Sequence, residues 1–157
     1  MKENKIEFTY QVFKTEDLSA GDARLRSLAI EAAQKAYAPY SKFSVGAAVL
    51  LDNGDYAKGS NQENAAYPSG LCAERVALFS VGANSPDVPV KALAIVAIKD
   101  GEIQPVVSPC GGCRQVMLEM EQRHNSNMRV LMIGCNDVII VSSAKDLLPF
   151  CFGNDNL

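Results

Sequence analysis

Three of the five cysteines fall in two short motifs, Cys72-Ala73-Glu74 and Pro109-Cys110-Gly111-Gly112-Cys113. Both lie where the chain is expected to begin a helix. A helix start carries partial positive charge and free backbone N–H groups, which lower a thiol pKa and favour the thiolate that binds metal. Cys110 and Cys113, three apart on a helix, point to one side. Three thiolates suit zinc, and a fourth position left to water marks a catalytic rather than a structural site. Zinc lowers the pKa of its bound water from 15.7 towards about 7. Glu74 is two residues from Cys72 and is not itself counted as a ligand, so it stands where it can take a proton from that water. One zinc per chain and one carboxylate are enough for hydrolysis.

Three plainer readings compete. Cys135 or Cys151 could complete a four-cysteine structural zinc used for protein interaction. The thiols could be buried by coincidence. Cys110 and Cys113 could form a redox pair, which needs a thioredoxin-like strand before the motif and leaves Cys72 and Glu74 without a use.

The elements that must position these residues can be read from periodicity. Residues 6–14 alternate apolar and polar, the period of a half-buried strand. Ser19 offers an N-cap, and Leu25, Leu28, Ala29, Ala32, Ala33 and Ala36 follow at helical spacing, ending before Pro39. Val45 to Leu51 and Tyr56 to Ser60 flank Asp52-Asn53-Gly54 and read as a hairpin. A helix starts at Leu71 or Cys72 and runs to about Gly82. Lys91 to Ile98 is apolar almost throughout, as in a strand covered on both faces. Ser108-Pro109 resembles an N-cap and first helical residue, opening a helix through Val116, Met117 and Met120. Arg129 to Ile133 and Val138 to Val141 are two more strands, and Lys145 to Leu148 a last helical turn. The fold class is α/β: three layers, α/β/α, around a mixed sheet of about five strands.

The 157 residues suit one domain, 1–157, with 1–16 an added strand or a loose tail. A net charge of −3 and a pI near 5.2 argue against nucleic acid, whose binders carry a basic face. The longest apolar run, Ala92 to Ile98, is far short of the roughly 20 residues of a membrane span. Met1 to Tyr10 is too polar for a secretory leader. A cytoplasmic protein with reduced thiols is expected.

Several segments together resemble the short, homotetrameric cytidine deaminases, over about residues 20–155: 36–47 (Ala-Tyr-Ala-Pro-Tyr-Ser-Lys-Phe-Ser-Val-Gly-Ala), Asn61-Gln62-Glu63-Asn64-Ala65, Cys72-Ala73-Glu74-Arg75, 108–115 (Ser-Pro-Cys-Gly-Gly-Cys-Arg-Gln) and Leu147-Leu148-Pro149. The two cysteine motifs match the signature of zinc-dependent deaminases of nucleobases. The resemblance implies hydrolysis of cytidine and 2′-deoxycytidine to the uridines and ammonia, in pyrimidine salvage. It makes Cys72, Cys110 and Cys113 the zinc ligands and Glu74 the proton shuttle. It also implies that Asn61 and Glu63 bind the sugar, that Phe43 lines the nucleoside pocket, and that backbone groups around Ala73 bind the base. It further implies that Arg75 donates to a ligand sulfur, which would offset the net −1 of three thiolates on Zn²⁺. Tyr67 and Phe152 match aromatic positions that family members use across subunit boundaries, so the implied partners are a pyrimidine nucleoside and copies of the same chain in a homotetramer.

Each assignment has a plainer counterpart: a polar loop for Asn61 and Glu63, a core aromatic for Phe43, a solvated charge for Arg75, and docking of an apolar C-terminus for Phe150 and Phe152. The sequence departs from the family at Gln62, a position usually apolar and β-branched. Cys135 and Cys151 are extra thiols, read as small buried hydrophobes. A zinc deaminase of another nucleoside or base is the nearest alternative, against which Asn61 and Glu63 argue for a sugar-bearing substrate.

Overall fold

The chain places α1 (Ala20–Ala33) on one face of a mixed sheet and α2 (Ala73–Asn84) with α3 (Gly111–His124) on the other. This computed structural model describes residues 1–157. The strands are β1 (Tyr10–Lys14), β2 (Phe43–Leu51), β3 (Tyr56–Ser60), β4 (Val90–Lys99), β5 (Glu102–Ile103), β6 (Arg129–Ile133) and β7 (Asp137–Val141). Their order is β1-β7-β6-β4-β2-β3, with β5 folded back on β4. Only β4 and β6 pair parallel; α3 makes the crossover between them.

The three layers follow from side-chain alternation. On β4, Leu93 and Ile95 face α2 and α3, whereas Ala92, Ala94 and Val96 face α1. On β6, Val130 and Met132 take the first face, Leu131 and Ile133 the second. A strand buried on both faces reads as continuous apolar sequence, which is why these two were legible.

The sheet has seven strands, against the expected five or so. The five are β2, β3, β4, β6 and β7. β1 is added by the N-terminal segment, paired from Tyr10↔Val141 to Lys14↔Asp137. β5 arises because Asp100 (φ 53°) and Gly101 (φ 82°) reverse the chain at the end of β4. The alternating run 6–14 is a strand only over Tyr10–Lys14, where β7 supplies a partner.

Two helix boundaries also move. Ser19 caps α1 as expected, its Oγ accepting from Asp22 N–H at 3.2 Å, but α1 ends at Ala33. The chain leaves it so that Tyr37 can pair with the 61–63 strand end: Tyr37 N–H donates to Asn61 C=O and Glu63 N–H to Tyr37 C=O. α3 begins at Gly111 with Cys110 as N-cap, two residues later than Ser108-Pro109 suggested. Glycines permit the closest layer contacts. A Cβ on Gly46 would lie 2.0 Å from the Ala29 carbonyl oxygen of α1, so only glycine lets that helix sit on β2.

Candidate active site

Cys72 and Cys110 are the N-caps of α2 and α3, and Cys113 lies in the first turn of α3. Neither N-cap makes a side-chain capping bond, so both sulfurs are available to something else. α2 and α3 pack side by side on one sheet face, which brings their starts together. Cys72 Sγ lies 3.9 Å from Cys110 Sγ, and Cys110 Sγ 3.5 Å from Cys113 Sγ. All three sulfurs fall within 4.8 Å of one another.

This spacing fits zinc. Zn–S bonds of about 2.3 Å in tetrahedral geometry set sulfurs about 3.8 Å apart, close to the two contacts above. The cluster contains neither Cys135 nor Cys151. Cys135 is exposed and Cys151 half-buried, which corrects the reading of both as buried hydrophobes. Cys135 sits in the exposed turn between β6 and β7, where no core is available to cover it.

The electrostatics favour a thiolate. The Cys72 thiol is lowered to about 5, chiefly by its hydrogen bond with Cys113, with Arg75 and Cys110 adding to the effect. Cys113 moves the other way, pushed up by the neighbouring Cys72 sulfur and by its complete burial. The thiols titrate together as one group, and binding a metal there requires their protons to leave. Arg75 donates from its guanidinium to Cys72 Sγ at 3.7 Å, the contact expected of a charge that offsets an anionic sulfur cluster.

Glu74 is 4% exposed, and burial raises its carboxyl above the usual carboxylate range. It lines a cavity of about 710 Å³ together with Cys72, Cys110 and Arg75. A buried carboxyl that opens onto the same space as the sulfurs can hold a proton and release it there.

The rest of the cavity wall comes largely from the β2 start, the segment 61–64 that follows β3 and the turn at Tyr67–Ser69. Phe43, Asn61, Glu63 and Tyr67 all line it. Phe43 is half-buried and Tyr67 79% exposed at the rim. Ala73 does not line the cavity; its side chain is fully buried in the core under α2. Only the backbone of that helix start can face a ligand. Phe152 also lies outside the cavity wall. It is 60% exposed, and its carbonyl accepts from Gln115 Nε2 at 2.8 Å.

Two polar residues are more constrained than their types suggested. Asn61 Oδ1 accepts from Val45 N–H at 2.7 Å while Nδ2 donates to Phe43 C=O at 2.9 Å, which pins the start of β2. Glu63 Oε2 accepts from the backbone N–H groups of Tyr40 at 2.9 Å and Ser41 at 3.3 Å. These bonds hold its carboxyl below the usual range, the Ser41 hydroxyl contributing most. Gln62, the odd residue of this segment, pairs through its backbone with Leu71 in both directions, at 2.8 and 2.9 Å. Its side chain turns to Ser60, so the substitution leaves the strand end intact.

Tyr40 was not singled out from sequence. It lines the cavity, and its ring meets that of Tyr67 edge-on with centroids 6.5 Å apart. The only local signal was its place after Pro39 in a turn, which says nothing of an aromatic neighbour 27 positions on.

A family model described as "Cytidine and deoxycytidylate deaminase zinc-binding region" matches residues 20–129. The cytidine deaminase of Sporosarcina psychrophila is 42% identical over 130 residues, covering 81% of this chain and 88% of its own length. That of Halalkalibacterium halodurans is 47% identical over 129 residues, covering 82% and 92%. Among solved structures, the crystal structure of cytidine deaminase from Burkholderia pseudomallei superposes with a TM-score of 0.69 at 41% identity, over 83% of this chain and 98% of that one.

Proposed function

Because the chain belongs to the cytidine and deoxycytidylate deaminase zinc-binding family, we propose that Cys72, Cys110 and Cys113 hold its zinc and that Glu74 moves the protons of the reaction. The activity is zinc-dependent hydrolytic deamination of cytidine. The observation that carries the residue assignment is the shared cavity, onto which buried Glu74 opens beside Cys72 and Cys110.

Zinc held by the three sulfurs would supply a Lewis acid that makes water a far stronger acid. The residues do the rest. The Glu74 carboxylate takes a proton from the attacking water and delivers it to N3 of the pyrimidine. It then carries the second proton from the hydroxyl now on C4 to the 4-amino nitrogen, whose bond to C4 breaks, so that water and cytidine become uridine and ammonia. Arg75 keeps the sulfur cluster from accumulating uncompensated negative charge.

Both backbone bonds of Glu63 go to Oε2, leaving Oε1 without one, and Asn61 keeps one amide hydrogen after its two bonds to β2. These are the groups proposed to meet the sugar hydroxyls, which extends the substrate to 2′-deoxycytidine through its 3′ hydroxyl. Phe43 and Tyr67 supply apolar walls for the base and sugar. The backbone N–H of Ala73, at the first position of α2, is the proposed contact for the base. Exposed Phe150, Phe152 and Tyr67 support a homotetramer in which aromatic residues of one copy approach another. The five free cysteines support a reducing compartment, the cytoplasm, and a role in pyrimidine salvage as a single domain over 1–157. No helix is long and apolar enough to cross a membrane.

The test is the ultraviolet absorbance of cytidine over time after adding zinc-loaded protein, with free cytosine beside it. Loss of the cytidine signal alone supports the sugar-binding assignment. Loss of both signals removes it, and loss of neither from protein holding one zinc per chain overturns the reading.

A further inference from the structure

The five residues before Cys110 pack on the core through Val106 and buried Pro109 but are sparsely hydrogen-bonded. Residues 105–109 make no backbone–backbone hydrogen bond, although Val107 and Ser108 line the cavity and Cys110 follows directly. Local preference does not hold the helix start either: Gly111 and Gly112 each weaken a helix by about 1 kcal/mol relative to alanine, and Cys110 makes no capping bond. One hydrogen bond ties this stretch to the fold, from Arg114 Nε to the carbonyl of buried Pro109 at 2.8 Å.

The same guanidinium donates from a second nitrogen to Leu147 C=O at 2.9 Å. Leu147 ends the single turn Ala144–Leu147, and that turn is anchored one level lower on the same helix. Glu121, 7% exposed, accepts from the Ser143 hydroxyl, from Ala144 N–H at 2.8 Å and from Lys145 N–H at 3.2 Å. Arg114 and Glu121 are seven apart, two turns along one face of α3. Glutamate therefore fixes the turn, the turn fixes the Leu147 carbonyl, and arginine fixes Pro109 against it.

We infer that Arg114 is a positioning residue for Cys110. Strung between Pro109 and Leu147, it makes the place of that sulfur depend on the C-terminal turn rather than on the cavity loop itself. The inference rests on Cys110 being a zinc ligand. A planar guanidinium bridges two carbonyls from two different nitrogens; Gln is shorter with one amide nitrogen, and Lys gathers its three donors on a single nitrogen.

The experiment follows zinc transfer from the holoenzyme to the chromogenic chelator 4-(2-pyridylazo)resorcinol, well below the melting temperature. Arg114→Gln is expected to release zinc about 10–100-fold faster than wild type, the range typical when a partner of a metal ligand is lost. Arg114→Lys should fall between the two. Gln122→Ala, which removes an acceptor for Asn154 N–H farther down α3, should release zinc at the wild-type rate. Release from Arg114→Gln at the wild-type rate overturns the inference, as does equal acceleration by Gln122→Ala. If Arg114→Gln does not fold, unchanged release from Arg114→Lys overturns it instead. Cys110→Ser is the separate control: if it holds zinc as firmly as wild type, the ligand assignment itself has failed.

Discussion

Gly59 of β3 lies so close to Ala73, the first residue of α2, that a Cβ on the glycine would sit 2.4 Å from the Ala73 carbonyl oxygen. The same Cβ would meet Ala77 N at 2.4 Å. Because Ala73 stands between Cys72 and Glu74, this contact bears on how deep those two side chains sit. Gly59→Ala is expected to destabilise the fold by about 1–3 kcal/mol, the usual cost of overpacking. It should also lower kcat at temperatures where the protein remains folded. Thermal melts and steady-state rates on cytidine check both; wild-type kcat would mean that the contact does not position the helix.

Glu74→Gln keeps the size of the side chain and removes its ability to carry a proton. Turnover of cytidine should fall by about 10²–10⁴, the usual worth of a positioned acid–base group. Zinc content measured by atomic absorption should stay at one per chain, since Glu74 is not among the three clustered cysteines.

The double variant Cys135→Ser, Cys151→Ser separates a three-thiol site from a four-thiol one. Neither residue belongs to the sulfur cluster, so zinc stoichiometry and activity should match wild type. Loss of zinc from this variant would revive the structural-zinc reading. Stripping zinc with a chelator should abolish activity, and adding zinc back should restore it.

Glu63 provides a pH test. Its folded-state pKa lies below the ordinary 4.5, so folding favours its ionised form. That contribution is present in full above pH 4.5 and is lost as pH falls through the lower folded value. The difference in melting temperature between wild type and Glu63→Gln should therefore hold steady from pH 7 to pH 5 and shrink only below about 4.5. A difference already gone at pH 6 would contradict the backbone hydrogen bonds assigned to it.

Asn61→Ala should behave differently. It removes two hydrogen bonds to β2, each worth about 0.5–1.5 kcal/mol net. A lower melting temperature and a raised KM for cytidine are expected together, because Phe43 and Val45 line the cavity from the same strand start. Raised KM without loss of stability would assign Asn61 to the sugar alone.

What the sequence by itself determined was local. Ser19 announces a cap because its side chain bonds its own neighbours, and β4 and β6 announce themselves because burial on both faces leaves no polar positions. The cysteine motifs carry their chemistry in residue type and spacing, and Glu74 is legible beside Cys72 for the same reason. The tertiary structure decided which groups meet. Nothing within 105–109 shows that its hydrogen bond comes from Arg114, or that this arginine also reaches Leu147. Asn61 reads as a free amide until β2 lies against it, and Tyr40 gains its aromatic neighbour only when the turn at Tyr67 folds over the cavity. β1 becomes a strand where β7 offers an edge and stops where that edge ends. Such contacts join residues far apart in the chain, and periodicity records how each segment buries one face without recording what it buries that face against.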